Sequence, residues 1–278
     1  MTGSAGPTPA GEDSVPLRQG EEADVSAPLL SVVVPAYNES HRLGASLRRM
    51  VEYLDGRGEP WEILVVDDGS TDDTPDQVRR VTADEPRCRL LQYDCNHGKG
   101  YAVRYGMVRA AGDFVLFSDA DLATPIEELE QLLSAVRAGS PVAIGSRDIP
   151  GAKLERRQSA VRELGGKLFN RCVRLVAVPG IHDTQCGFKM FTRDACRQVF
   201  GMCRIDNFSF DVEALYLARR LGLSIAEVPV RWSHQEGSKV RFVRDAWRML
   251  LTLVRIRLTA YPCASAARVA VAGSETRR

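Results

Sequence analysis

No stretch of this chain approaches the roughly 18 continuous apolar residues that a spanning helix requires, so the sequence predicts no bilayer crossing. Near its start there is no apolar segment of the kind that secretory signals carry. Met1 to about Pro28 is instead rich in Gly, Pro, Ser and acidic residues, and reads as a disordered tail. Charge of one sign is not in excess: the formal net charge is +1, which removes a general nucleic-acid footprint. The seven cysteines (Cys88, Cys95, Cys172, Cys186, Cys196, Cys203, Cys263) include no Cys-x-x-Cys pair. That odd, unpatterned set argues against zinc or a disulfide frame and for reduced thiols in a cytoplasmic compartment, most of them small buried hydrophobes. No Gly-x-Gly-x-x-Gly follows the first apolar run, which sets a dinucleotide oxidoreductase aside. Gly98-Lys99-Gly100 lacks the upstream Gly and the following Ser/Thr of an NTPase phosphate loop. Internal repeats are absent.

What is there is an alternation of strands and helices. The 278 residues, 44% apolar, suffice for one large α/β domain. Strands are predicted at 29–35, 62–66, 89–93, 114–117, 142–146, 186–191 and 225–230. Helices are predicted at 42–54, from a cap at Thr71 or Asp72 to about Ala83, and at 101–111, 126–138, 156–176 and 210–221. This order implies a Rossmann-like α/β fold with a mostly parallel central sheet and helices on both faces. No linker interrupts residues 29–239, which read as one domain.

Ligands of such folds bind at strand ends. Asp119-Ala120-Asp121 follows the apolar run Phe114-Val115-Leu116-Phe117. Two adjacent carboxylates are costly unless a cation or proton neutralises them. Residues i and i+2 of an extended chain address the same side, and hard oxygens favour Mg²⁺ or Mn²⁺. Pro35-Ala36-Tyr37-Asn38-Glu39 ends the first strand, with Tyr37 a ring for stacking on a base and Glu39 an acceptor. Asp67-Asp68-Gly69-Ser70 ends the second. Each alone is an ordinary turn sequence; together, at consecutive strand ends, they suit a nucleotide.

Val32-Val33-Val34-Pro35-Ala36-Tyr37-Asn38-Glu39, Val65-Val66-Asp67-Asp68-Gly69-Ser70 and Asp119-Ala120-Asp121 resemble the motif set of family 2 glycosyltransferases, which have the GT-A fold. His182-Asp183-Thr184-Gln185-Cys186-Gly187-Phe188-Lys189, Phe210-Asp211-Val212-Glu213 and Glu236-Gly237-Ser238-Lys239 are most similar to the dolichyl-phosphate β-glucosyltransferases among the polyprenyl-phosphate hexose synthases. The resemblance covers about 29–239. It implies inverting transfer of glucose from UDP-glucose to a polyprenyl or dolichyl phosphate, assisted by Mg²⁺ or Mn²⁺. Pro35, Tyr37, Glu39, Val66 and Asp68 would line the nucleoside pocket, with Gly98 and Lys99 beside the donor. Asp119, Ala120 and Asp121 would hold ribose, diphosphate and metal, with Asp119 and Asp121 as the ligands.

Arg147, Lys189 and Lys239 are the candidate clamps for phosphates. Asp183 and Asp211 are candidate bases or sugar ligands, with a loop cap and a helix N-cap as their structural alternatives. His182 reads as a surface residue and Trp232 as packing. Ala123 and Ser233 stand where the related mannose synthases typically carry a Gln and a basic residue. Both differences weaken a GDP-mannose donor, which stays open as an alternative beside a hexosyl transfer to another acceptor and a non-catalytic nucleotide-binding membrane adaptor.

In 240–258, taken as a helix at about 100° per residue, Arg241, Arg244, Arg248 and Arg255 fall within roughly 60° of one another on an otherwise apolar surface. Such a helix, bounded at Pro262, suits the cytoplasmic face of an anionic membrane. Packing on the domain or a homo-oligomer contact is the alternative, and Arg257 falls on the apolar side. Residues 263–278 read as a loose tail.

Overall fold

The computed structural model describes residues 27–156, 177–235 and 251–261. The expected N-terminal tail up to residue 26, the helix expected over 157–176, Lys239, most of the basic helix, and the final tail lie outside the described residues.

The chain alternates as expected. β1 (Leu30–Ala36), α1 (Leu43–Arg57), β2 (Trp61–Asp68), α2 (Thr74–Asp84), β3 (Cys88–Tyr93), α3 (Lys99–Met107) and β4 (Phe114–Ser118) form the first half. A 3-10 turn (Ile126–Glu128), α4 (Leu129–Arg137), β5 (Val142–Ser146) and β6 (Lys153–Arg156) come next. They are followed by β7 (Phe188–Thr192), α5 (Arg193–Phe200), α6 (Phe210–Arg220), β8 (Ile225–Pro229) and β9 (Arg231–Ser233). Residue 156, expected to begin a helix, ends β6 instead.

Seven strands form one sheet in the order β3-β2-β1-β4-β7-β5-β8, and β6 pairs with β9 in a small second sheet. All main-sheet pairs are parallel except those of β7, which runs antiparallel between β4 and β5. Alternation along the strands sends Val32 and Val34 to the layer of α1 and α4, and Val33 with Leu64 and Val66 to the layer of α3, α5 and α6. Both faces are therefore covered, as parallel strands require. Each fully buried side chain of this core, such as Phe117, Leu47 or Met190, contributes about 1.5–3 kcal/mol of apolar burial.

Four described cysteines, Cys88, Cys186, Cys196 and Cys203, are free and buried, as expected of small hydrophobes; Cys95 is exposed. Among the described residues no helix is long and apolar enough to cross a membrane.

Candidate active site

The ends of β1, β2 and β4 lie side by side, because these strands pair in register from Leu30 with Trp61 and Phe114. The loops leaving β1 and β2 are tied together. Asn38 adopts φ 51°, in the left-handed region that only a few per cent of non-glycine residues enter. Its Oδ1 accepts from Thr71 N at 2.8 Å, and its own N–H donates to Ser70 Oγ at 2.8 Å. Glu39 N donates to Thr74 Oγ1 at 2.7 Å. Tyr37 and Glu39 are half-buried at this mouth.

β4 stops at Ser118, and the acidic triplet is a turn rather than extended chain. Leu122 N donates to Asp119 O at 3.3 Å, Leu122 takes φ 49°, and Ala123 N donates to Asp121 Oδ1 at 3.0 Å. A turn, not strand periodicity, thus sets the two carboxylates, and the charge of Asp119 acts on Asp121. Lys99, at the start of α3, donates to Asp119 Oδ1 at 2.6 Å. Arg42, the residue before α1, brings Nη1 to 4.0 Å from Asp121 Oδ2 while its Nε bonds Glu39. Burial and then the Asp119 charge push the Asp121 carboxyl above its ordinary value, against the Ala123 N–H, Lys99 and Arg42.

This donor set fits a hard divalent ion: two carboxylates whose mutual repulsion is only partly relieved by the protein's own cations. Among the described residues no third acidic, His or Cys ligand joins them, which leaves the rest of a metal's shell to a diphosphate and water.

Several expected site residues have other roles. Val66 is fully buried, on the side of Gly106 in α3, where a Cβ at Gly106 would meet its side chain at 2.8 Å. It belongs to the core and not to a nucleoside pocket. Pro35 is buried within β1, and Ala120 joins the core layer of α1 and α4. The Asp68 carboxylate is already saturated. It accepts from Tyr93 OH at 2.8 Å, His97 N at 2.8 Å, Asn96 Nδ2 at 2.8 Å and Gly98 N at 2.9 Å, and so shapes the 96–98 loop that delivers Lys99. Asp67 is fully buried and accepts from Ser70 N at 3.3 Å, while its Oδ1, sealed from solvent, has no hydrogen-bond partner among the described residues. Burial pushes the Asp67 carboxyl up. The resemblance assigned Asp68 to the nucleoside pocket; the partners of the two aspartates distinguish them here.

Lys189 cannot clamp a substrate from where it lies. It is 2% exposed, and its Nζ donates to Asp211 Oδ1 and to Cys186 O, both at 2.5 Å. Asp211, in the first turn of α6, is closed off by the same pair. Burial raises its carboxyl more than Lys189 and Lys99 lower it. The expected base or sugar ligand is thus half of a buried ion pair beside Phe117, whose ring lies 5.9 Å from Lys189 Nζ and 5.4 Å from Lys99 Nζ.

Asp183 is likewise not a free base. It is fully buried and grips Arg147 as a fork, with Nε to Oδ2 at 2.6 Å and Nη2 to Oδ1 at 2.9 Å. Arg147 N and Gln185 N donate to the same carboxylate. Burial would raise this carboxyl, but the Arg147 charge and these hydrogen bonds outweigh it and hold it below its usual value. The guanidinium of Arg147 lies 5.3 Å over the Trp232 ring, so Trp232 is a wall for Arg147. Ser233 N donates to Ala123 O at 2.8 Å, fastening β9 beside the acidic turn.

Three contributors escaped sequence reading. Gly187 leaves the space that the Asp119 carboxylate fills. Arg42 faces Asp121. Glu227 on β8 accepts from His182 N and Asp183 N and from Ser146 Oγ at 2.8 Å, setting the loop that carries Asp183. His182 itself is exposed, as expected.

Comparisons with known proteins place the chain in a family. Residues 31–200 match the family model for glycosyl transferase family 2. A dolichyl-phosphate beta-glucosyltransferase of Trichomonas vaginalis is 36% identical over 91% of this chain and 79% of its own length. Proteins of the same name from Drosophila melanogaster and Homo sapiens are 40% and 37% identical, each over 79% of this chain and 77% and 78% of their own. Glucosyl-3-phosphoglycerate synthase from Mycobacterium tuberculosis, solved with Mn²⁺, UDP and glucosyl-3-phosphoglycerate, superposes with a TM-score of 0.60 at 21% identity, covering 83% of this chain and 79% of that one. A Pyrobaculum calidifontis mannosyltransferase with GDP-mannose and Mn²⁺ gives 0.54 at 20% identity, over 93% of this chain and 79% of that one. At such identities these two carry the fold alone. The chain belongs to glycosyl transferase family 2, and is a glycosyltransferase of the GT-A fold.

Proposed function

We propose that this enzyme transfers glucose from UDP-glucose to a polyprenyl phosphate, with inversion at the anomeric carbon, at the surface of a membrane where that lipid resides. The observation that carries the reading is the meeting of Asp119, Asp121, Lys99 and Arg42 where β1 and β4 run out, in a chain at least 36% identical to three dolichyl-phosphate beta-glucosyltransferases over most of its length.

Asp119 and Asp121 would hold a divalent ion, which when bound supplies charge stabilisation for the departing diphosphate. Lys99 and Arg42 add cationic groups on either side of the pair. Asp67 Oδ1, buried at the end of β2 and without a hydrogen-bond partner among the described residues, is left for a bridging water. A phosphate monoester has its second pKa near about 6 and is largely dianionic at neutral pH, so the acceptor needs little help from a base. That agrees with the buried pairing of both Asp183 and Asp211. Arg147, oriented by Asp183 and backed by Trp232, is the clamp that brings this anion to the donor. Lys239 keeps the phosphate-facing role that the sequence assigns it.

Incubation with a short polyprenyl phosphate, Mn²⁺ and a panel of nucleotide sugars tests the reading by product mass. The expected product is the hexosyl phosphate lipid from UDP-glucose, lost in Asp121→Ala. Product from GDP-mannose in preference would overturn the donor assignment. No product from any donor, by an enzyme that still binds UDP, would overturn the transfer.

A further inference from the structure

The helix described at residues 251–258 is anchored by Thr252, Leu253 and Ile256, which are buried against the layer of α3 and α6. Its outer face is exposed among the described residues. Leu251, Val254 and Leu258 are 57%, 53% and 80% exposed, and they are three of the four exposed large hydrophobics among the described residues. At about 100° per residue these three make one stripe, bordered by Arg255 on one side and Arg257 on the other. Arg257, which disturbs an idealised wheel, is therefore a flank of this stripe and not a flaw in it. Residues 251–261 contain no acidic side chain.

Arg255 also lines a pocket of about 240 Å³ together with Arg204, His97 and Asn207. The one carboxylate of that pocket, Asp206, is taken by Arg104 at 2.8 Å. Neither Arg204 nor Arg255 has an ion-pair partner among the described residues; the guanidinium of Arg204 lies 5.9 Å over the Tyr261 ring. An aliphatic stripe edged by guanidinium groups, beside a pocket holding two uncompensated positive charges, matches an anionic phospholipid surface. Acyl chains receive the stripe and a headgroup phosphate receives the arginines.

We propose that this face docks on an anionic bilayer, with Leu251, Val254 and Leu258 entering the acyl boundary and a headgroup phosphate held between Arg204 and Arg255. The proposal rests on the lipid-acceptor reading for its purpose, but docking needs neither donor nor acceptor, so the two fail separately.

The test is co-sedimentation of the full chain with phosphatidylcholine vesicles, with and without phosphatidylserine and free of polyprenyl phosphate. Binding is expected to require phosphatidylserine. Arg204→Glu with Arg255→Glu should weaken it about tenfold or more, as should Leu251→Glu with Leu258→Glu. Both variants should keep the wild-type melting temperature and the wild-type turnover of a water-soluble short-chain acceptor. Equal vesicle binding by wild type and variants overturns the proposal. So does self-association that Leu258→Glu abolishes while vesicle binding persists, which would make the stripe a contact between copies. Competition separates the phosphate sources: inorganic phosphate that binds wild type tightly, without the charge-reversed variant losing vesicles, marks a free-anion site and overturns headgroup capture. Docking without glycosyl transfer would leave this inference standing and count against the proposed function.

Discussion

Gly187 sits where a side chain cannot. A Cβ there would lie 1.9 Å from Asp119 Oδ2, while the Gly187 carbonyl accepts from Asp119 N at 3.1 Å. The clash is with the end of a side chain, which can swing aside, so Gly187→Ala should fold with a melting temperature near wild type. The swing displaces a carboxylate assigned to the metal, and a misplacement of about 1 Å at such a site costs about a hundredfold in rate. Steady-state kinetics beside thermal unfolding check this pairing of normal stability with lost kcat. The triplet was legible as a candidate metal site from its two carboxylates together with the motifs at the neighbouring strand ends. The need for Gly187 was not, because nothing in its spacing says that it opposes Asp119. Asp67 and Asp68 teach the same point: two identical residues, one saturated by four donors and one with a buried oxygen unpartnered among the described residues.

Between elements, the Asp183–Arg147 fork ties the end of β5 to the loop that enters β7. Removing one charge of such a pair from a fully buried site costs about 3 kcal/mol, so Asp183→Asn should lower stability in urea by that order and free Arg147 to wander. It should also change the acid limb. Asp183 is held below its usual carboxyl range in the folded state. Its contribution is therefore complete above the unfolded value near about 3.9, and is lost as pH falls below it toward the folded value. Wild type should lose stability over that window and the Asn variant less, as unfolding curves at successive pH values will read.

At this scale the alternation of strands and helices was legible from hydrophobic period. The direction of β7 was not, since one antiparallel strand leaves the same local pattern as a parallel one. α5 had a readable signal that went unused. Thr192 caps it by accepting from Ala195 N at 3.3 Å, and Ala195, Cys196, Val199 and Phe200 follow a helical period on its buried face.

Over the whole molecule, the sheet order places the ends of β2, β1 and β4 side by side, so that strand ends at Ala36, Asp68 and Ser118, far apart in sequence, come together at one end of the sheet. The two core layers cover both faces behind this end, where Lys99 pairs with Asp119 and Arg42 faces Asp121. The helix described at residues 251–258 packs on the layer of α3 and α6 and turns its exposed stripe outward. The sequence revealed a basic, apolar helix, but which of its faces is buried depends on the domain beneath it.

The central claim is that Asp119 and Asp121 hold the donor's diphosphate through a divalent ion. Calorimetric titration of UDP into the full chain, with Mn²⁺ and with chelator, tests it most directly. Wild type should bind UDP far more tightly with Mn²⁺, and Asp121→Ala should bind it with the same weak affinity in either condition. Affinity in wild type that ignores the metal, or a full Mn²⁺ response retained by Asp121→Ala, would contradict the account.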